Sequence, residues 1–313
     1  MTDPSSNAAA GEPRDLLDIA DLGAGGVRHC LDLAACDPGD LGAPLAGHGV
    51  ALIFEKPSNR TRQSSEMAVV QLGGHPVYTR GEEIGFDTRE PVEDIAKVMA
   101  GYHAVLAARV LQHRTLIRLA SASGVPVVNL LSDHSHPLQA LADALTMEQH
   151  MGDLAGRTVA YVGDYNNVAR SLAEVCVLLG ANVRIGGPAR YLPDPVDLER
   201  VRGLGAGSVT THKTAEDTVE GADAVHTDTW VSMGQETDRE ERRAAFAGWT
   251  VDDTLMARAA DGAVFLHCLP AYRGLEVSAA VIDGERSLVI EQAHNRMHAA
   301  RGALAMLLGV PAP

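Results

Sequence analysis

Glu55-Lys56-Pro57-Ser58-Asn59-Arg60-Thr61-Arg62 follows directly on the apolar run Val50-Ala51-Leu52-Ile53-Phe54. An unbroken apolar run of this length reads as a strand buried in a parallel sheet, and Pro57 ends it. Ser58 is placed to cap a helix that begins near Asn59, runs through Glu66 to Leu72 and stops at Gly73-Gly74. Strand, short loop and helix N-terminus together make an anion site, because free N–H groups and the positive end of the dipole converge there. Hydroxyls at Ser58 and Thr61 and guanidiniums at Arg60 and Arg62 add donors that suit phosphate oxygens. The alternative is a solvated basic first turn. Cationic side chains are unfavourable beside a helix N-terminus, so two arginines there favour the anion reading.

Working outward, 313 residues exceed one comfortable core and suit two domains. A hydrophobic share of 46% with only 4% aromatics leaves packing to Ala, Val and Leu. The net charge of −15 argues against nucleic acid and anionic membrane surfaces as partners. An anionic substrate would therefore be captured by a local basic cluster. No apolar run reaches the length of a membrane span, and the N-terminus lacks a signal peptide's regions. Cys30, Cys36, Cys176 and Cys268 show no CxxC spacing, which fits a reducing, cytoplasmic setting.

Residues 1–12 read as a disordered leader. Helical periodicity at 15–22 and 27–35 predicts a helical pair. Strands are expected at 76–78, 104–110 and 125–130, with Arg109 near the end of the second. Residues 79–90 form a polar, Gly-containing loop of the kind that closes over ligands. Helices are expected at 92–101, opened by Pro91, at 115–121, and through 144–150. The polar, Gly-marked joint 151–156 divides domains 13–150 and 151–292. Beyond it, strands are expected at 158–162, 182–185, 224–227, 263–267 and 288–290, and a terminal helix at 293–308. The fold class is α/β: two doubly wound parallel-sheet domains with the active site in the cleft between them, at strand C-terminal ends.

Several stretches in the second half carry chemistry. Gly163-Asp164-Tyr165-Asn166-Asn167 follows a strand and opens a helix, yet has one glycine where a dinucleotide fingerprint has three. Amide side chains there suit a ligand carrying carboxylate and ammonium groups, unless Asn166 or Asn167 is only a helix cap. Asp228 leaves a strand end, either to hold an alkylammonium group or to close an Asx-turn. Cys268 at another strand end is a candidate contact or an apolar filler. His134, His136, His267 and Cys268 match no zinc spacing, so neither metal nor cofactor is expected.

Taken in order, these motifs resemble the aspartate/ornithine carbamoyltransferase superfamily, in its ornithine branch. Lys-Pro-Ser-x-Arg-Thr-Arg at 56–62 looks like the carbamoyl phosphate loop, and His136-Pro137-Leu138-Gln139 like the carbamoyl-recognising turn. Asp228 to Gly234 is similar to the D-x-x-x-S-M-G acceptor loop, His267 to Pro270 is the H-C-L-P signature, and Asn295 to His298 resembles the last segment. The resemblance spans residues 14–310 and implies carbamoyl transfer from carbamoyl phosphate to the δ-amine of L-ornithine. It implies phosphate binding by Ser58, Asn59, Arg60, Thr61 and Arg109, and carbamoyl recognition by His136, Gln139, the Leu269 backbone and Arg296. Asn167, Asp228, Ser232 and Met233 would grip ornithine, with Cys268 beside the δ-amine; Cys268, Asp228, Arg109 and His136 form the implied catalytic set. The family also implies a homotrimer, no metal or cofactor, and a last helix (293–310) packed back on the first domain. Other readings are another acceptor such as putrescine or acylated ornithine, or a non-catalytic paralogue. Departures from the family pattern are Asn59 for Thr, Glu83 for Gln and His294 for Glu. Glu83 would repel phosphate unless it turns away or Arg80 or Arg89 covers the role.

Overall fold

A computed structural model describes residues 14–231 and 236–313. The expected leader at 1–12 and the acceptor-loop residues Ser232 and Met233 lie outside the described residues. The chain divides into two compact units, residues 14–145 with His294–Pro313, and Thr146–Ala293. The divisions fall inside two helices, Pro137–Met151 and Val289–Leu307. Each unit is a parallel sheet flanked by helices.

The first sheet holds β1 (Gly49–Phe54), β2 (His75–Arg80), β3 (His103–Arg109) and β4 (Val127–Leu131), all parallel, in the order β2-β1-β3-β4. Its residues Ala51, Ile53, Leu106, Ala108 and Val127 pack on Ile95, Ala96, Leu116 and Leu119 of two flanking helices. The strand order reverses between β1 and β3, so the loops leaving these two strands open a crevice at their C-terminal ends. The Glu55 N–H donates to the Arg109 carbonyl at 2.9 Å, and the Leu111 N–H donates to Glu55 Oε2 at 2.7 Å. Both loops are thereby fixed at the reversal.

The second sheet holds β5 (Thr158–Val162), β6 (Asn182–Gly186), β7 (Ser208–His212), β8 (Ala224–Thr227) and β9 (Val264–His267) in the order β7-β6-β5-β8-β9. Its reversal lies between β5 and β8, with β9 beside β8. The loops after β5, β8 and β9 carry Asn166, Asp228 and Cys268.

Four expectations need correction. Leu288 to Ile290 is no strand; the last helix opens at Val289, because a three-residue apolar run carries no period of its own. The stretch before Ile19 is extended: Leu16 bridges Val128 at the edge of β4, and a single 3₁₀ turn at Ile19–Leu22 precedes the helix Gly23–Ala35. Ser208–His212 is an additional edge strand, too polar on its exposed face to read as one. Residues 79–90 are not all loop, since Thr79 and Arg80 end β2 and Gly81–Ile84 is one helical turn. That turn lies so close to β1 that a Cβ on Gly81 would sit 2.6 Å from the Glu55 Cα.

Candidate active site

The β1 loop leads into the helix Asn59–Gln71, with Ser58 at the N-cap in extended conformation. Ser58 makes no side-chain cap bond, so its hydroxyl does not do what the sequence suggested. The N–H groups of Asn59, Arg60 and Thr61 have no intrahelical acceptor, as at any helix start, and Ser58 supplies none. An uncapped N-terminus at a sheet's reversal point is a preformed anion seat.

The side chains divide in their use. Arg60 is half-buried in this first turn. Arg62 is turned away: its Nε donates to Glu66 Oε1 at 2.8 Å, and its guanidinium lies 3.8 Å from the Tyr78 ring centroid. It is therefore removed from the donor set. Asn59 is exposed, and its Oδ1 accepts from Gln63 Nε2. Thr61 is buried and its Oγ1 accepts from Arg296 Nη2 at 3.2 Å.

Arg296, in the last helix, also donates through Nη1 to Gln139 Oε1 at 2.6 Å, and Gln139 Nε2 donates to Asp143 Oδ1 at 2.7 Å. Thr61, Gln139 and Arg296 thus form one buried connected group within the first unit. Arg109 ends β3 and His136 precedes the helix Pro137–Met151; both are buried. Burial, then the charges of Arg296 and Arg109, hold His136 well below the usual imidazole pKa. At neutral pH it is an uncharged ring in a positive field.

Glu83 is neutralised locally. Its Oε1 accepts from Arg80 Nε and Nη2 at 3.2 and 2.9 Å, its Oε2 accepts from the Arg80 N–H at 3.0 Å, and Arg89 Nη1 donates to its carbonyl at 2.8 Å. Arg80 pulls the carboxyl below its ordinary pKa, first through the backbone bond. The two arginines that could replace the missing Gln are thus tied to Glu83 itself.

In the second unit, Asn166 caps the helix Asn167–Leu178, its Oδ1 accepting from Val168 and Ala169 at 3.0 and 3.1 Å. Its Nδ2 donates to Asp228 Oδ2 at 2.7 Å. The cap is therefore Asn166, and Asn167 is the first helical residue. Asp228 Oδ1 accepts from the Cys268 thiol at 3.0 Å and from the Thr229 N–H at 2.7 Å. Asn166, Asp228 and Cys268, from the ends of three strands adjacent in the sheet, form one cluster. The sequence offered the amides of Asn166 and Asn167 either as ligand contacts or as a helix cap; Asn166 is the cap and also bonds Asp228, a pairing the sequence did not indicate.

His267, buried beside Cys268, accepts from the Leu269 N–H at Nδ1 (2.9 Å), and its Nε2 is 3.2 Å from buried Glu276 Oε1. That acceptor role assigns the proton to Nε2. Asp228, His267 and Cys268 offer ligand atoms within 4.8 Å of one another, but both ring nitrogens of His267 are engaged. Leu269 has φ +57°, a left-handed backbone that costs about 1–2 kcal/mol for a residue with a side chain. The His267 bond holds it there, and the Leu269–Pro270 peptide is cis.

The comparisons with known proteins also find two domains, parting between residues 149 and 155, with the second carried through the last helix to residue 307. The profile of the aspartate/ornithine carbamoyltransferase carbamoyl-P binding domain matches residues 14–149, and that of the Asp/Orn binding domain matches 155–307. The chain is 46% identical over 298 residues to the ornithine carbamoyltransferase of Thermus thermophilus, covering 95% of this chain and 97% of that protein. A crystal structure of ornithine carbamoyltransferase from Thermus thermophilus superposes with a TM-score of 0.85 at 43% identity, over 95% of this chain and 99% of the other. The Pyrococcus furiosus enzyme superposes with a TM-score of 0.91 at 39% identity, over 96% and 99%. Matches to both domain profiles and to whole relatives at this identity leave one conclusion: the chain belongs to the aspartate/ornithine carbamoyltransferase family.

Proposed function

We propose that the protein transfers the carbamoyl group of carbamoyl phosphate to the δ-amine of L-ornithine, giving L-citrulline and phosphate. The observation that carries this reading is the uncapped N-terminus of the helix Asn59–Gln71 at the β1/β3 reversal. The phosphate sits on the N–H groups of residues 59–61, with Ser58, Arg60, Thr61 and Arg109 as further donors. Asn59 contributes its backbone N–H, since its side-chain oxygen is engaged with Gln63. Arg62 takes no part.

His136, neutral in the field of Arg109 and Arg296, donates to the carbamoyl oxygen. Gln139 Oε1, oriented by Arg296, and the Leu269 carbonyl accept from the carbamoyl amine. The Asn167 amide, with Ser232 and Met233, holds the α-groups of ornithine, and Asp228 holds its δ-ammonium beside Cys268. Asp228 draws a proton from the δ-ammonium, and the neutral amine attacks the carbamoyl carbon. An oxyanion forms on the carbonyl oxygen; the carbon–oxygen bond to phosphate then breaks, and phosphate leaves with that bond's electrons and takes up the surplus proton of the attacking nitrogen. Donors already in place for that oxyanion and for the phosphate supply most of the stabilisation. Bringing the two substrates together supplies much of the rest.

A homotrimer, a cytoplasmic setting and a place in arginine biosynthesis belong to the same proposal and rest on family membership. Citrulline formation from the two substrates tests the activity. It is expected for the wild type and abolished or strongly reduced in Arg60→Ala and Asp228→Ala. No product, or turnover untouched by both changes, would remove the assignment. Sedimentation tests the trimer.

A further inference from the structure

The loop after β5 carries a second buried carboxylate, Asp164, two residues before Asn166. Two acids at one reversal point would present more negative charge than a single ammonium requires. The structure disposes of one of them. Arg242, in the helix Arg239–Ala245, donates through Nη1 to Asp164 Oδ2 at 2.7 Å and to the Trp230 carbonyl at 3.1 Å. Its guanidinium also lies 4.9 Å from the Tyr191 ring centroid, and Tyr191 accepts from the Tyr165 N–H through its carbonyl at 2.9 Å. Arg242 and Asp164 are nearly buried as a pair, with side chains 11% and 10% exposed. One guanidinium therefore holds the β5 loop at Asp164 and the β8 loop at Trp230, on either side of the Asn166–Asp228 bond.

We propose that the Asp164–Arg242 ion pair is the positioning and charge-balancing element of the acceptor site, leaving Asp228 as the one uncompensated carboxylate for the acceptor's terminal ammonium. This deepens the ornithine reading above and rests on it. The pair acts in two ways. It fixes the two loops whose side chains meet at Asn166 and Asp228. It also sets the local charge: losing the Asp164 carboxylate leaves a guanidinium that cannot shed its proton, and this repels a cationic side-chain end. Asp164 and Asp228 already sense one another, since Asp228 adds to the burial that raises the Asp164 pKa.

The test compares two ligands that share α-groups but differ at the far end: L-ornithine, with its δ-ammonium, and L-norvaline, which has a methyl there. In Asp164→Asn the KM for ornithine is expected to rise about tenfold or more, while the inhibition constant of norvaline changes less than about threefold. The KM for carbamoyl phosphate stays within about twofold. The double variant Asp164→Asn/Arg242→Gln removes both charges and brings ornithine KM back toward the wild-type value, since a buried ion pair can be replaced by neutral groups. Thermal unfolding of each variant reports the fold separately. Ornithine and norvaline weakening in parallel would overturn the proposal, as would a double variant no better than Asp164→Asn. A wild type that makes no citrulline would instead fail the activity assignment itself, so the two failures are distinct.

Discussion

Arg296 Nη1 donates to Gln139 Oε1 at 2.6 Å, so a residue of the last helix fixes the amide of one 157 positions earlier in the chain. The same guanidinium reaches Thr61 Oγ1 at 3.2 Å. Three segments distant in sequence are thereby joined in one buried group within the first unit.

Arg296→Ala removes both bonds and leaves Gln139 Oε1 and Thr61 Oγ1 without this donor. Truncating one partner of a buried, charged hydrogen bond costs roughly 2–5 kcal/mol. The expected result is a fall of at least about thirtyfold in kcat/KM for carbamoyl phosphate. Steady-state kinetics with that substrate varied checks it, and a change below about threefold would remove Arg296 from the cradle.

His136 predicts a pH dependence of stability with a definite sign. Its folded pKa lies well below the ordinary value of about 6.5. Below that pH the unfolded chain takes up a proton that the folded ring refuses, so the unfolded state binds more protons and stability falls as pH falls. His136→Gln cannot make this contribution. Between pH 7.5 and 5.5 the wild type should therefore lose more thermal stability than the variant, measured as the drop in Tm. Equal drops would show that the ring is not held neutral.

How much was legible beforehand follows from where each signal resides. Buried parallel strands are local and apolar, so β1, β8 and β9 stood out, and with them the strand-end residues Ser58, Asp228 and Cys268. The edge strand Ser208–His212 was hidden by its Thr and Ser content, and Leu288–Ile290 was too short to separate strand from helix. Tertiary pairings outside the family motifs were not legible. Nothing near Arg62 in sequence announces Tyr78, and nothing near Asp164 announces Arg242. Asn166 was readable as a cap, while its bond to Asp228 depends on the β5–β8 adjacency.

Arg62 offers a direct contrast with Arg60. Because Arg62 is spent on Glu66 and the Tyr78 ring, Arg62→Ala should leave the KM for carbamoyl phosphate within about twofold. Arg60→Ala should raise it by at least about tenfold. Similar losses from both would place Arg62 in the phosphate site after all.

Gly81→Ala tests the packing behind the phosphate loop. The new Cβ would meet the Glu55 Cα at 2.6 Å and the Phe54 carbonyl oxygen at 3.2 Å, both backbone atoms of the segment that leads into Ser58. Overpacking of this kind costs about 1–3 kcal/mol. A lowered Tm together with a raised KM for carbamoyl phosphate is expected. An unchanged KM would separate the turn Gly81–Ile84 from the loop it packs on.

The central claim is that the first turn of the helix Asn59–Gln71 exists to receive phosphate. A crystal structure of the protein soaked with carbamoyl phosphate measures this most directly. Phosphate oxygens are expected within hydrogen-bond distance of the N–H groups of residues 59–61 and of the Arg60 and Arg109 guanidiniums, with the carbamoyl oxygen at His136. A cradle left empty at saturating ligand, or the phosphate seated in some other part of the chain, would contradict the account.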